Sequence, residues 1–147
     1  MGKATKVFIP SGFALMDEAT LKARYPLEGR RPTEVYTNTE GTIYIAFNHT
    51  QTRGGITDLP QFKMVFERQF NQPGINFKKS ELKPINGTDF IILEFITPSP
   101  DGEVYNRMFI TSLENRLLMG TFNCTVSHLQ EWQPIADKIV NSLEVLK

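Results

Sequence analysis

The densest run of hydrophobic residues extends from Asp89 to Cys124 and contains three strand-like segments joined by two short turns. The turns are Ser-Pro-Asp-Gly at 99–102 and Glu-Asn at 114–115. Tight turns join antiparallel strands. The segments lack the regular apolar–polar alternation of a sheet with one wet face. The pattern therefore predicts an antiparallel sheet that is covered on both faces.

The same turns predict how the three strands pair. Glu94 is expected opposite Arg107, and Asn106 opposite Asn123. A slip of one residue would exchange the two faces, and the Glu94–Arg107 match favours this register because opposite charges stabilise each other across strands. One face then carries Phe90, Ile92, Ile96, Tyr105, Phe109, Leu118 and Phe122, and the other carries Ile91, Leu93, Phe95, Met108, Ile110 and Met119.

Three helices are predicted outside this meander. Asp17 can cap a short helix over 18–25, and Thr57 or Asp58 can cap a longer one with a strongly apolar face. Ser127 can cap a last helix that ends near Leu143, although Pro134 predicts a start or a bend within it. Strands are predicted over 6–9, 34–39, 42–50 and 75–85, with a polar loop at 51–55.

This order of elements indicates one α+β domain spanning 1–147. Its predicted architecture is a three-layer α/β/α sandwich, built on a largely antiparallel six- to seven-stranded sheet with helices on both faces. The lysines and the proline of segment 75–85 are typical of an edge strand.

Composition narrows the possible functions. Lys plus Arg and Asp plus Glu number 16 each, so the net charge is zero and nucleic-acid binding is disfavoured. No apolar run approaches the roughly 20 residues that span a bilayer, so no membrane insertion is predicted. A single cysteine carries no disulfide signature. We therefore expect a cytoplasmic location, with the periplasm as the alternative if a leader has been removed.

Candidate catalytic chemistry is sparse. His49 and His128 have no partner at metal-ligand spacing, so no metal or other cofactor is predicted. Cys124 lies four residues before His128, but a cysteine in a strand is usually a small hydrophobic residue. Lys79, Glu94 and Arg107 would form a row of charges across three strands, which we interpret as a structural ion-pair ladder. No catalytic residue is predicted.

The pair Asn106 and Asn123 is the best candidate for a binding site. Both amides fall on an otherwise apolar surface, where they either bond to each other or contact a ligand or peptide. A site there would lie near Tyr105, with Arg30, Arg31 and Arg53 supplied by loops.

Four segments resemble the PsbP-like superfamily, which includes a photosystem II extrinsic protein, a Ran-binding nuclear-import factor and bacterial DcrB-like proteins. They are Pro10-Ser11-Gly12-Phe13 after a first strand, the Asn86-Gly87 turn, the Asp101-Gly102 hairpin, and the closing helix with Trp132, Ile135-Ala136, Ile139-Val140 and Ser142-Leu143. The likeness spans nearly the whole chain, and its motifs specify a fold. No functional residue is carried over from the family.

The resemblance implies a non-catalytic accessory protein, because most members of the family are accessory or binding proteins. We therefore expect a protein-binding or chaperone-like module, of bacterial type, with a protein partner whose identity and stoichiometry stay open. The alternative is a small-ligand-binding domain or minor enzyme with a site near Asn106 and Asn123. A structural domain of a larger assembly is a third hypothesis.

Overall fold

The computed structural model of the chain describes residues 5–26, 32–100 and 102–145. Short 3-10 turns at Ile56–Asp58 and Val126–His128 lead into the second and third helices. The elements in chain order are β1 (Thr5–Lys6), β2 (Ala14–Leu15), α1 (Glu18–Arg24), β3 (Glu34–Thr37), β4 (Tyr44–Arg53), α2 (Leu59–Phe70), β5 (Asn76–Ile85), β6 (Thr88–Thr97), β7 (Val104–Leu113), β8 (Arg116–Thr125), α3 (Leu129–Asn141) and β9 (Glu144–Val145).

A seven-stranded antiparallel sheet forms the middle layer, in the order β2-β3-β4-β8-β7-β6-β5. β1 and β9 pair separately as a two-stranded sheet. The predicted α+β class, the antiparallel sheet and the position of β5 at its edge are confirmed.

The predicted register is also confirmed, since Glu94 lies opposite Arg107 and Asn106 opposite Asn123. Two-residue turns fix the register of β5 on β6 and of β7 on β8. Both residues of Asn86-Gly87 have positive φ, at 50° and 82°, and both residues of Glu114-Asn115 do, at 54° and 61°. This backbone matches the right-handed twist of the flanking strands, so the strands pair without a bulge at the turn.

Each face of the sheet buries its own core. Phe8, Phe13 and Trp132 help to cover one face, and the rings of Phe13 and Trp132, which belong to the family-like segments, meet edge to face at 5.7 Å. On the other face, the α2 side chain Phe70 stacks on Phe95 at 4.4 Å. Under α3 lie Ile43, Ile45, Phe47, Ile85, Phe90, Ile92, Tyr105, Phe109, Phe122 and Cys124, and under α2 lie Ile91, Leu93, Phe95, Met108, Ile110 and Leu117.

The helix ends differ from the predictions in detail. The Asp17 carboxylate caps α1 as predicted, accepting a bond from Thr20 N at 2.7 Å. α3 begins at Leu129 and continues through Pro134, so the helix does not start at the proline. Its N-cap is His128 rather than Ser127, and no side chain caps it there. At the other end, the Asn86 side-chain amide donates to Asn141 O at 3.3 Å and to Leu143 O, just past the helix, at 2.7 Å.

Two strand predictions were wrong in their limits. Residues 51–53, predicted as a loop, extend β4 past an irregularity after His49, as far as Arg53 opposite Arg116. The first strand covers Thr5–Lys6 rather than 6–9. β2 and β9 were not predicted, because two residues are too few to show an alternating pattern.

Candidate functional site

Asn106 and Asn123 lie side by side on the face of the sheet that α2 partly covers. The Asn106 amide nitrogen donates to Thr97 Oγ1 and to Val104 O, both at 3.1 Å. Among the described residues, no group bonds to the Asn123 side-chain amide, which is half-buried. The two amides therefore do not satisfy each other, and one of them is available to a partner.

The surroundings of these amides form a half-exposed area of sheet, which we call the amide face. Cross-strand pairs align its side chains, with Asn123 opposite Tyr44 and Thr121 opposite Ala46. All of its residues are partly exposed. They are Tyr44, Ala46 and Asn48 of β4, Met119, Thr121 and Asn123 of β8, and Asn106 of β7.

Helices lie on two sides of the amide face. The Arg24 guanidinium at the end of α1 lies over the Tyr44 ring, 3.9 Å from its centroid. On the other side, Phe70 of α2 stacks on Phe95, the residue opposite Asn106. The sheet between the two helices thus presents uncharged hydrogen-bonding groups mixed with small apolar surfaces.

The structure does not bring the other predicted site residues to this face. Tyr105 precedes Asn106 in β7 and so points to the opposite face, where it is 3 % exposed. Arg53 lies at the other end of β4 from Tyr44, roughly 30 Å away at 3.3 Å per residue. Arg30 and Arg31 lie outside the described residues.

A second polar cluster lies on the α3 face and is centred on Arg107, which is 5 % exposed. Its guanidinium donates to Glu94 Oε1 at 3.2 Å, to Tyr105 Oη at 2.8 Å, and to Asp137 Oδ1 of α3. Tyr105 in turn donates to Glu94 Oε1 at 2.5 Å. We call these four residues the Arg107 cluster. It ties the helix to two strands, as a structural ion-pair network does.

Burial shapes the titration of this cluster. Burial alone lowers the pKa of Arg107, but the bond to Asp137 and the nearby Tyr105 and Glu94 raise it overall, so the residue is a fixed cation. Burial, followed by the bond to Glu94, raises the pKa of Tyr105. Neither group is suited to proton transfer near neutral pH. Beside the cluster is a cavity of about 60 Å³, which Lys79, Glu81 and Lys83 also line.

The predicted charge ladder is correct in register and incomplete in its contacts. Lys79 lies opposite Glu94, but its ammonium is 3.4 Å from Glu81 instead. The strand irregularity between Phe77 and Lys79 accompanies this difference. Sequence reasoning missed Asp137, since a carboxylate beside the apolar stripe of a helix looks like any solvated residue.

The cysteine and the two histidines, the remaining candidates for catalysis, are buried or make contacts within the fold. Cys124 is 1 % exposed, and burial raises the pKa of its thiol to about 11, so little thiolate forms at neutral pH. His128 Nδ1 contacts Thr125 Oγ1 at 2.7 Å, while His49 lies between Leu113 O and Arg116.

Within the described residues, no group of His, Cys, Asp and Glu could hold a metal ion. No described helix is long and apolar enough to cross a membrane.

Comparison with solved structures identifies the type of fold. CyanoP, the PsbP of the cyanobacterium Synechocystis sp. PCC 6803, matches with a TM-score of 0.64 and 13% identity, over 97% of this chain and 86% of its own. LpqN of Mycobacterium tuberculosis, involved in cell envelope biogenesis, matches with a TM-score of 0.66 and 11% identity, over 97% and 83%. PA94 of Pseudomonas aeruginosa, a protein of unknown function and putative regulator, matches with a TM-score of 0.55 and 13% identity, over 99% of both chains.

The chain therefore has a PsbP-like α+β fold, as the resemblance in its sequence predicted. At these identities the likeness establishes the fold alone. No protein-family model matches the sequence, and no curated protein matches it either.

Proposed function

We propose that the protein is a non-enzymatic accessory protein of bacterial type that holds a segment of a partner protein on the amide face. The observation that carries this proposal is the uncovered area of sheet around Asn123, whose half-buried amide has no partner among the described residues. Elsewhere, the two hydrophobic cores of the sheet are packed against helices, and the Arg107 cluster is closed by its own bonds.

The chemistry of the amide face suits a polypeptide. Asparagine side chains donate and accept like the peptide group itself, so Asn123 and the side-chain oxygen of Asn106 can bond to the backbone of a bound segment. Tyr44, Ala46 and Met119 offer apolar contact beside them. The seven residues of the face carry no formal charge, and the Arg24 guanidinium lies over the ring of one of them, Tyr44. We therefore expect a bound segment without positive charge.

Two further observations support an accessory role over catalysis. Cys124, the one thiol of the chain, is buried and protonated at neutral pH. The structural neighbours also include a protein of cell envelope biogenesis and a putative regulator. The alternative, a small-ligand-binding domain or minor enzyme, would use the same amides.

Site-specific crosslinking in the source cells tests the proposal. A photo-crosslinking amino acid is placed at Thr121, in the centre of the amide face, and at the exposed Gln133 of α3 as a matched control. We expect a discrete protein adduct from position 121 and none of the same mass from position 133. Adding Asn123→Lys should abolish the adduct, because it places an unpaired charge on the face.

Identical adducts from both positions, or none from position 121, would contradict the proposal. A metabolite screen that raises the melting temperature of the wild type but not of Asn123→Lys would favour the small-ligand alternative.

The cellular location is a separate part of the proposal. The single cysteine favours the cytoplasm. The envelope role of the neighbour LpqN supports the alternative, the periplasm. Fractionation of the source cells distinguishes the two, since a periplasmic protein is released by osmotic shock together with known periplasmic markers.

A further inference from the structure

The outer edge of β5 is the longest exposed sheet edge in the described chain. The strand has ten residues, Asn76–Ile85, and nine of them pair with β6 on one side. No described strand pairs with the other side. The opposite edge strand, β2, has two residues. Pairing with β6 keeps β5 extended, so the unpaired backbone groups along its outer edge can bind another strand.

The centre of this edge reads Glu81-Leu82-Lys83, which is complementary to itself when two copies run antiparallel. With the two Leu82 residues opposite each other, Glu81 of each copy faces Lys83 of the other. Within one copy, Glu81 Oε1 lies 3.4 Å from the ammonium groups of both Lys79 and Lys83. The side chains of Glu81 and Lys83 are still 32% and 40% exposed, so each can also reach the neighbouring copy. Opposite charges that face each other across strands stabilise the pairing.

Leu82 supplies an apolar contact at the centre of that arrangement. It is 37% exposed although it belongs to a strand, and it lies on the face opposite to Glu81 and Lys83. Against a second Leu82, much of this surface would leave water. One side of the paired strands would thus bury leucines while the other pairs charges.

Pro84 indicates which backbone groups are available on the outer side. Proline has no N–H, and in an edge strand it is tolerated where the nitrogen points away from the neighbouring strand. Residues two apart point the same way, so Leu82 and Ser80 also direct their backbone groups outward. Two Leu82 residues can then exchange a pair of N–H···O bonds, and Ser80 N–H can reach the Pro84 carbonyl of the second copy.

We propose that two copies of the chain associate through β5, antiparallel about a two-fold axis at Leu82, into a continuous sheet of fourteen strands. Proline removes one donor and the irregularity before Lys79 ends the regular ladder, so the interface is short. Short interfaces give weak dimers, with a dissociation constant of roughly 0.01–1 mM. This association is separate from partner binding, because the amide face lies on other strands.

Sedimentation velocity over a concentration series of the full chain, from about 5 µM to about 1 mM to cover that range, tests the proposal. We expect Lys83→Glu to raise the dissociation constant about tenfold or more, since it creates two like-charged pairs across the axis. Glu81→Lys should do the same. The double variant Glu81→Lys/Lys83→Glu restores both pairs and should return to within about threefold of the wild type.

The matched control is the exposed pair Glu18 and Lys22 of α1, whose ammonium and carboxylate are 3.0 Å apart. Glu18→Lys, Lys22→Glu and their double variant make the same charge changes far from β5 and should leave association unchanged. A wild type that is monomeric throughout the series would overturn the proposal. So would a dimer that Lys83→Glu does not weaken, or a double variant that fails to recover.

Discussion

Two polar sites lie within the apolar sheet, one at Arg107 and one at Asn123, and they differ in how fully their polar groups are bonded. On the α3 face, Arg107 is buried and every nitrogen of its guanidinium bonds to a neighbour in the Arg107 cluster. On the other face, Asn123 is half-exposed and its amide has no bonding partner among the described residues. The two positions are on adjacent strands, one residue out of register with each other.

The difference separates polar residues that stabilise the fold from those available for binding. A buried charge is tolerated only when it is paired and hydrogen-bonded, so the Arg107 cluster is closed on itself. A half-exposed amide can bond to water instead, and so it can exchange water for a partner. Stability measurements should therefore distinguish the two sites before any partner is known.

Truncation of Arg107 should have the largest effect. Arg107→Ala leaves the Glu94 carboxylate, 13% exposed, without its cation and removes a donor to Tyr105. We expect a loss of about 3–5 kcal/mol in the free energy of unfolding, measured by urea denaturation. Asp137→Ala is the control, because that carboxylate is 58% exposed and should contribute no more than about 1 kcal/mol. Equal losses from both variants would contradict a closed cluster.

A side chain added at Gly120 would test how tightly the α3 face is packed. A Cβ at this position would lie 2.0 Å from Cε2 of Phe109, whose ring is 2% exposed. Gly120→Ala should therefore destabilise by about 1–3 kcal/mol, because a buried ring has nowhere to move. Thr121→Ala, the next residue on the amide face, should cost about 0.5 kcal/mol or less.

A second variant separates the clash from other effects of the alanine. Phe109→Leu removes Cε2 and Cζ, two of the three ring atoms nearest to the new Cβ. The double variant Gly120→Ala/Phe109→Leu should therefore be more stable than the sum of the single losses predicts. Strict additivity would show that the ring contact is not the cause.

The sequence was sufficient to predict the register of the central strands. The Glu114-Asn115 turn sets the pairing of β7 with β8, and the Glu94–Arg107 charge match favoured the observed pairing of β6 with β7. The sequence also located Asn106 and Asn123 on one surface. The same pattern placed Tyr105 on the opposite face, since consecutive residues of a strand alternate, but the predicted site still included it. Grouping by closeness in sequence was the error there.

Other features of the structure could not be predicted from a single sequence. The role of Asp137 depends on where α3 crosses the sheet, and the position of Arg53 depends on how far β4 continues past its irregularity. That the amide face is uncovered follows from the placement of α1 and α2, which the apolar stripes of the helices do not specify.

Asn123 and Cys124 are consecutive residues of β8 whose side chains lie on opposite faces of the sheet, so they allow the two faces to be compared directly. Because burial raises the pKa of the thiol from its ordinary value near 9.0 to about 11, its contribution to stability is complete below pH 9 and is lost as pH rises toward 11. We expect the stability advantage of the wild type over Cys124→Ala to fall by about 1 kcal/mol between pH 8 and pH 10. Urea denaturation of both proteins at each pH measures this.

Thiol labelling gives the same comparison kinetically. Native Cys124 should react with an alkylating reagent only when the protein opens, whereas a cysteine at 123 in a Cys124→Ala/Asn123→Cys variant should react directly. The ratio of the two rates should approach one in denaturant. Rapid labelling of native Cys124 would show that the α3 face is not closed there.

The smallest effects are expected on the amide face itself. Asn106→Ala removes bonds to Thr97 and Val104, and we expect it to cost about 1 kcal/mol of unfolding free energy. Asn123→Ala should change that free energy by no more than about 0.5 kcal/mol, because the amide makes no internal bond among the described residues. Thermal denaturation of the two variants, measured side by side, makes the comparison. A larger loss from Asn123 than from Asn106 would mean that its amide stabilises the fold, and the amide face would then lose the group that makes it a candidate binding site.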